Sequence, residues 1–193
     1  MTTNTKFLRE TCYHERMADQ SACPLCRGDG WHFPELRILT LWQPWASLMA
    51  WGEKTVETRP ARFPNYQGWV AIHAAQTIEG LNHCDIVHDS LFLRFLTEAL
   101  NRHGHEPTRM NRLPRGKILA VLRFCERYPT ENTGRLPEIA PWEAEFGNYE
   151  PGRVAILTDC LQPLRQPIEF SNGQGLRRAT ALQSAMIARE LAA

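Results

Sequence analysis

The 193 residues are 43% hydrophobic and 22% charged, so the chain is long and apolar enough to form one ordinary domain with a hydrophobic core. A formal net charge of +1, from 22 basic and 21 acidic side chains, argues against attachment to nucleic acid or anionic membranes through bulk charge. No apolar run approaches the roughly 20 residues that span a bilayer, and the N-terminus lacks the apolar stretch of a secretory signal. These features predict a cytoplasmic protein with no membrane partner.

Residues 1–33 form a segment that is rich in cysteine and histidine and has little apolar periodicity. It contains a Cys-x-His pair, Cys12 and His14, and a Cys-x-x-Cys pair, Cys23 and Cys26. Two thiolates at the second spacing can bind one tetrahedral zinc ion from a tight turn. We therefore predict a zinc-knuckle-like segment that holds a structural Zn²⁺ with these four side chains, while His32 competes with His14 as the fourth ligand. A tail with reduced thiols, or a redox-active pair, is the alternative.

The next part of the chain predicts strands and helices in turn. A short strand over residues 37–41 leads to Pro44, which suits the first turn of a helix that ends at Gly52. Alternation and β-branched residues predict a strand over 54–59, and a second strand is predicted over 68–75. Apolar residues at helical spacing predict a helix over 89–102.

The second half predicts more strands and a terminal helix. Residues 103–115 are polar, contain two prolines and are predicted to form a loop. The remaining predicted elements are an apolar strand over 117–124, a short helix around 142–146, strands over 153–159 and 168–170, and a helix over 179–193 that packs on the barrel. Short strands with irregular connections favour an α+β fold, a small mixed β-barrel with flanking helices. No glycine-rich phosphate loop follows any predicted strand.

The segment 41–59 contains the side chains that a small polar pocket needs. Two indoles offer flat surfaces, an amide can bind a base-like edge, and two cations flank a carboxylate; in this order they are Trp42, Trp45, Gln43, Lys54, Arg59 and Glu57. Because side chains alternate along a strand, Lys54 and Glu57 are expected on opposite faces unless the preceding turn swings Lys54 inward. The alternative is that the tryptophans belong to the core and that Glu57 and Arg59 form a surface salt bridge.

The motifs around this pocket resemble those of the ASCH domain family. They are Leu-Thr-Leu-Trp-Gln-Pro-Trp-Ala-Ser-Leu over 39–48 and Gly-Glu-Lys-Thr-Val-Glu-Thr-Arg over 52–59. Further matching pieces follow in the family's order at 68–73, 113–120, 149–156 and 173–176. The resemblance covers about 36–178 and implies a PUA-like β-barrel domain over 34–178, with a cleft beside the Gln-Pro-Trp helix.

The resemblance also implies a function, namely a module that binds RNA, a nucleotide or a modified nucleoside. The expected ligand-binding residues are Trp42, Gln43, Trp45, Thr58, Arg59, His73 and Arg153. His73 has a second interpretation, because a histidine inside a strand is often a hydrogen-bonded core residue. Pure binding needs only stacking, base-edge and phosphate contacts.

A catalytic role is the alternative that the resemblance raises. Some relatives hydrolyse the amide of acetylated cytidine nucleosides through a Lys-Thr-x-Thr motif, and some cleave RNA. Lys54 matches the lysine of that motif, but Glu57 occupies the position of its second threonine. We therefore keep a hydrolase with Lys54 as general base and Glu57 as proton acceptor as the second hypothesis. A protein-interaction role is the third.

Overall fold

The computed structural model describes residues 35–77, 90–131, 139–171 and 173–192. Its strands are β1 (Arg37–Leu41), β2 (Val56–Pro60), β3 (Gly68–Ala74), β4 (Lys117–Pro129), β5 (Arg153–Glu169) and β6 (Leu176–Arg178). Its α-helices are α1 (Trp45–Trp51), α2 (Ser90–Arg102), α3 (Pro141–Glu145) and α4 (Ala181–Ala192), and a 3-10 helix covers Pro107–Arg112. The four predicted zinc ligands, Cys12, His14, Cys23 and Cys26, lie outside the described residues.

The six strands form one mixed sheet in the order β2-β5-β4-β3-β1-β6. Strands β1 and β3 pair in parallel, and the other neighbours pair antiparallel. The sheet curls into a half-barrel with helices at its sides, which confirms the predicted α+β class. None of the described helices is long and apolar enough to cross a bilayer.

The central strands are apolar on both faces because helices cover each face. On β3, Val70, Ile72 and Ala74 pack in the same cluster as Met49 of α1, whereas Ala71 packs with Ile187 of α4 on the other side. A third cluster packs α2 against α1 and the end of α3. Because side chains alternate along a strand, a sheet that is covered on both faces needs the continuous apolar runs seen in the sequence.

The second half of the sheet differs from the expected strand lengths. Strand β4 continues five residues beyond Phe124, and β5 is one element of 17 residues where two strands were predicted. Its pairing with β4 shifts register at three places, and Pro163 lies at one of them, opposite Ala120. Proline and polar residues at such irregularities interrupt the alternating pattern without ending the strand, which is why the sequence suggested a break.

We expect Phe124→Ala to lower the free energy of unfolding by about 3–5 kcal/mol, because it leaves a cavity in the central cluster. Phe124 is 1% exposed. The matched control is Leu182→Ala, since Leu182 is 67% exposed and its truncation should change stability by no more than about 0.5 kcal/mol. Urea unfolding followed by circular dichroism measures both. A loss for Phe124→Ala as small as the control would contradict this description of the core.

Candidate functional site

A cleft of about 650 Å³ opens between α1, β2 and the segments around residues 145–148 and 173–175. The described residues that line it come from three separate parts of the chain. They are Thr40, Leu41, Trp42, Trp45, Lys54, Glu57, Thr58, Arg59, Glu145, Phe146, Gly147, Asn148, Arg153, Gln174 and Gly175. The cleft therefore joins seven of the predicted site residues, namely Trp42, Trp45, Lys54, Glu57, Thr58, Arg59 and Arg153.

A glycine turn places Lys54 under α1. Gly52 has a φ of +78°, the left-handed conformation in which helices commonly end. The backbone N–H groups of Glu53 and Lys54 both donate to the carbonyl of Leu48. Strand β2 begins only at Val56, so strand alternation does not govern Lys54. Its Nζ lies 3.6 Å from Glu57 Oε2, and the expected separation of the two side chains does not occur.

The floor of the cleft is an ionic cluster that is largely withdrawn from solvent. Lys54 is 2% exposed and Glu57 is 4% exposed. Lys54 Nζ donates to the backbone carbonyl of Val56. Burial lowers the pKa of the Lys54 amine, while the Glu57 and Glu143 carboxylates act in the opposite direction.

Arg59 stands on the solvent side of this cluster. Its Nε lies 2.7 Å from Glu57 Oε1, although the N–H is not directed for a regular hydrogen bond. The guanidinium also lies over the ring of Phe63, with 5.4 Å from its carbon to the ring centroid. The predicted alternative of a surface salt bridge thus holds for the pairing of Glu57 with Arg59 but not for its location, because the carboxylate is buried.

Glu143 on α3 belongs to the ionic cluster without being among the described lining residues, and the sequence analysis did not identify it. Its carboxylate is 6% exposed and accepts hydrogen bonds from the backbone N–H groups of Thr55 and Val56. The Thr55 hydroxyl also donates to Glu143 Oε2 at 2.8 Å. A glutamate in the first turn after a proline is typical of a helix start, so the sequence offered no signal that it clamps the start of β2.

Arg153 connects the second wall of the cleft to β2. Its Nε donates to the carbonyl of Asn148 at 3.1 Å, and its Nη2 donates to the carbonyl of Thr58 at 3.3 Å. The backbone N–H of Asn148 in turn donates to the Thr58 hydroxyl at 2.9 Å. These bonds hold residues 147–148 beside the ionic cluster, and Arg153 itself lines the cleft.

Tyr149 lies behind this wall. Its ring packs against Gly147, where an added Cβ would come within 2.6 Å of the Tyr149 Cε2 atom. Burial, then the Glu143 and Glu57 carboxylates, raise the pKa of its hydroxyl. The oxygen is buried and has no hydrogen-bond partner among the described residues. Its side chain therefore supports the wall through packing.

The two tryptophans take different positions. Trp42 is 39% exposed at the cleft and presents an indole to solvent. Trp45 is partly buried and packs on the cluster under α2, with its ring 6.1 Å from that of Phe92. Trp42 therefore offers more exposed aromatic surface than Trp45, which lines the cleft but also packs on the cluster under α2.

Gln43 and His73 were also predicted to contact a ligand, and neither is among the described residues that line the cleft. The Gln43 amide donates from Nε2 to the carbonyl of Pro114 at 2.6 Å and accepts the backbone N–H of Ser47 at 3.1 Å. His73 is 2% exposed, which agrees with the alternative of a hydrogen-bonded core histidine. Both side chains therefore support the walls of the cleft from behind.

We expect Glu143→Gln to destabilise the fold by about 1–3 kcal/mol, because a neutral amide oxygen accepts the backbone hydrogen bonds of Thr55 and Val56 more weakly than a carboxylate does, and the negative charge that favours the Lys54 cation is lost. Glu145→Gln, on the same helix, is the control and should change stability by no more than about 0.5 kcal/mol. Urea unfolding at pH 7 measures both variants. Equal losses in the two would show that the carboxylate of Glu143 does not hold β2.

The chain is similar to solved structures of ASCH from Zymomonas mobilis. A serine-to-alanine mutant is 15% identical, with a TM-score of 0.46 and coverage of 80% of this chain and 95% of that chain. The parent protein is 16% identical, with a TM-score of 0.44 and coverage of 79% and 94%. A tyrosine-to-phenylalanine mutant is 14% identical, with a TM-score of 0.45 and coverage of 81% and 98%. No family model and no curated protein matches the sequence. These similarities assign neither a ligand nor an activity.

Proposed function

We propose that the cleft binds a nucleobase, presented by RNA, by a nucleotide or by a modified nucleoside, as an ASCH-type module would. The observation that carries this proposal is the combination of an exposed indole, Trp42, with a buried carboxylate, Glu57, and two arginines in one cleft. Each of these groups suits a different part of a nucleotide. The indole can stack on the base, the carboxylate can accept a hydrogen bond from an exocyclic amino group, and the arginines can bind phosphate.

The size and polarity of the cleft support a small polar ligand. Its volume of about 650 Å³ lies within the range of small-molecule sites, about 300–1,000 Å³. Charged side chains at its floor make it a poor match for an apolar protein segment, since each buried charge needs a polar partner. The nearly neutral net charge of the chain agrees with local recognition, in which Arg59 and Arg153 supply the positive charge for a phosphate and Lys54 lies at the floor.

A second candidate function is hydrolysis of RNA or of an N-acylated nucleoside. It is favoured by Lys54, whose amine is buried at the cleft floor and whose pKa is lowered by that burial. A neutral amine has a lone pair and can remove a proton from an attacking hydroxyl or water. At the position of the second threonine of the Lys-Thr-x-Thr motif, Glu57 supplies a carboxylate and no hydroxyl nucleophile. The nucleophile would therefore be water or a hydroxyl group of the ribose.

For binding, we expect Trp42→Ala to weaken the affinity for cytidine 5′-monophosphate by about 5- to 100-fold, because the stacking surface is lost. Trp142→Ala is the matched control, since Trp142 is 45% exposed and is not among the described lining residues. Isothermal titration calorimetry measures both affinities. We also expect weaker binding of uridine 5′-monophosphate. Cytosine has an amino group that can donate a hydrogen bond to Glu57, whereas uracil has a carbonyl at the same position. Equal losses in the two tryptophan variants would contradict stacking on Trp42.

For catalysis, the protein is incubated with RNA and with N-acetylated cytidine, and products are separated by chromatography. If the hydrolase hypothesis holds, Lys54→Ala should reduce turnover by about 10²- to 10⁴-fold, the usual contribution of a general base. Lys117→Ala is the lysine control, because Lys117 pairs with Glu169 at 2.8 Å outside the described lining of the cleft. Measurable binding without turnover by the unaltered protein would reject the enzyme and leave the binding module.

A further inference from the structure

Three close polar contacts connect the cleft wall to the buried imidazole of His73. Thr40 Oγ1 lies 3.0 Å from the carbonyl oxygen of Gly173 and 3.0 Å from His73 Nδ1. On the far side of the ring, His73 Nε2 lies 3.1 Å from the carbonyl oxygen of Phe170. Thr40 lines the cleft, as do the two residues that follow Gly173 along the chain, 174 and 175. The His73 imidazole therefore contacts a residue that lines the cleft without lining the cleft itself.

Whether all three contacts can be hydrogen bonds at once depends on the charge of the His73 ring. Both carbonyl oxygens only accept, so each of these two contacts needs a donated proton, and the contact between Thr40 Oγ1 and His73 Nδ1 needs a third. The Thr40 hydroxyl supplies one proton and a neutral imidazole supplies one. The neutral ring therefore leaves one of the three contacts without a proton, whereas the imidazolium completes all three.

The contact that opens in the neutral state is expected to be the one to Gly173. We assign the proton of the neutral ring to Nε2, because the Phe170 carbonyl beside it can only accept; Nδ1 is then an acceptor for the Thr40 hydroxyl. The Thr40 oxygen then faces the Gly173 oxygen with no proton between them, and two facing acceptors repel. In the imidazolium state Nδ1 donates to Thr40, and the hydroxyl is released to donate to Gly173.

We propose that His73 is a positioning residue of the cleft, which holds residues 173–175 in the wall through Thr40 when the imidazole is protonated. The wall is looser when the ring is neutral. The proposed function adds a consequence: a ligand that needs the closed wall binds together with a proton on His73. Its affinity then rises as the pH falls.

The surroundings of His73 set the pH range of this effect. Burial lowers the pKa of His73, and the Phe170 carbonyl acts in the opposite direction. Charged groups on the neighbouring elements include Lys117 on β4 and Glu169 on β5, which pair with each other at 2.8 Å, Arg37 on β1, and Arg177 and Arg178 on β6, where the Arg177 guanidinium lies next to Gly173. The transition is therefore expected below the ordinary value of 6.5. Because the unfolded chain binds the proton more readily, folding loses stability in the same range even as the wall closes.

The first test uses the free protein and does not depend on any ligand. Two-dimensional NMR from pH 4.5 to 8 follows the His73 ring and the backbone amides of Gly173 and Gly175. We expect the three to titrate with one midpoint. His73→Gln should remove the amide titration, because the glutamine amide keeps the same charge, donors and acceptor over this pH range. His105→Gln should leave it unchanged, since His105 stacks on Trp51 away from this network. Amides that do not follow the His73 ring would overturn the proposal.

Thr40→Val separates the relay from a general effect of the charge. It keeps the side-chain shape and removes the hydroxyl, so the His73 ring should still titrate while the Gly173 and Gly175 amides lose the common midpoint. Amides that continue to follow His73 in this variant would show that Thr40 does not carry the effect, and would overturn the relay.

The second test measures calorimetric affinity for cytidine at pH 5.5 and pH 7.5. We expect tighter binding at pH 5.5 by about two- to tenfold, the effect of one added hydrogen bond, in the unaltered protein and in His105→Gln. His73→Gln should bind equally at the two pH values. Binding without this difference would overturn the proton coupling, whereas no binding at either pH would overturn the proposed function and leave the wall to be decided by the NMR titration.

Discussion

The cleft is built around the burial of the Lys54 amine. A single charge withdrawn from water costs several kcal/mol unless other groups compensate for it, and here the compensation comes from three sides. The Val56 carbonyl accepts from the amine, Glu57 lies 3.6 Å away, and the Glu143 carboxylate adds its field from α3. With Arg59 beside Glu57, the cluster contains two cations and two carboxylates. This balance allows polar groups to remain at the bottom of a cleft whose surroundings are apolar.

The same cluster connects elements that are distant in the chain. Glu143 accepts hydrogen bonds from the backbone N–H groups of Thr55 and Val56, at the start of β2. The position of α3 therefore determines where Lys54 and Glu57 lie. Arg153 then links the carbonyl of Asn148 to that of Thr58, which lies 90 residues earlier in the chain. Most of these bonds end on backbone atoms, which do not change with side-chain rotamers. The cleft is consequently preorganised by the fold, and a ligand would meet side chains that are already in place.

Local sequence patterns predicted the strands whose residues are apolar on both faces. Continuous apolar runs marked β3 and the first part of β4, because both faces of the sheet are covered. They failed for β5, where a proline and polar residues lie at register shifts that only the partner strand reveals. For the site, the segment 41–59 contained seven of the fifteen described lining residues, among them the whole ionic floor that lines the cleft. Glu143 was missed because its partners are backbone amides almost ninety residues away in sequence, and these leave no trace in a local pattern.

The residues behind the cleft show why residue type alone does not separate binding from support. Gln43 and His73 have the chemistry of ligand contacts, yet their polar atoms bond to the scaffold. The buried titratable groups Lys54 and His73 also differ in their neighbours. Burial lowers the pKa of both, but carboxylates oppose it at Lys54, whereas carbonyl and hydroxyl dipoles surround His73. Carbonyl and hydroxyl dipoles can surround either the neutral or the protonated imidazole, and the neutral ring loses one hydrogen bond. A carboxylate, in contrast, favours the protonated amine. Of these two groups, His73 is therefore the one whose protonation can change the shape of the wall without breaking the ionic floor.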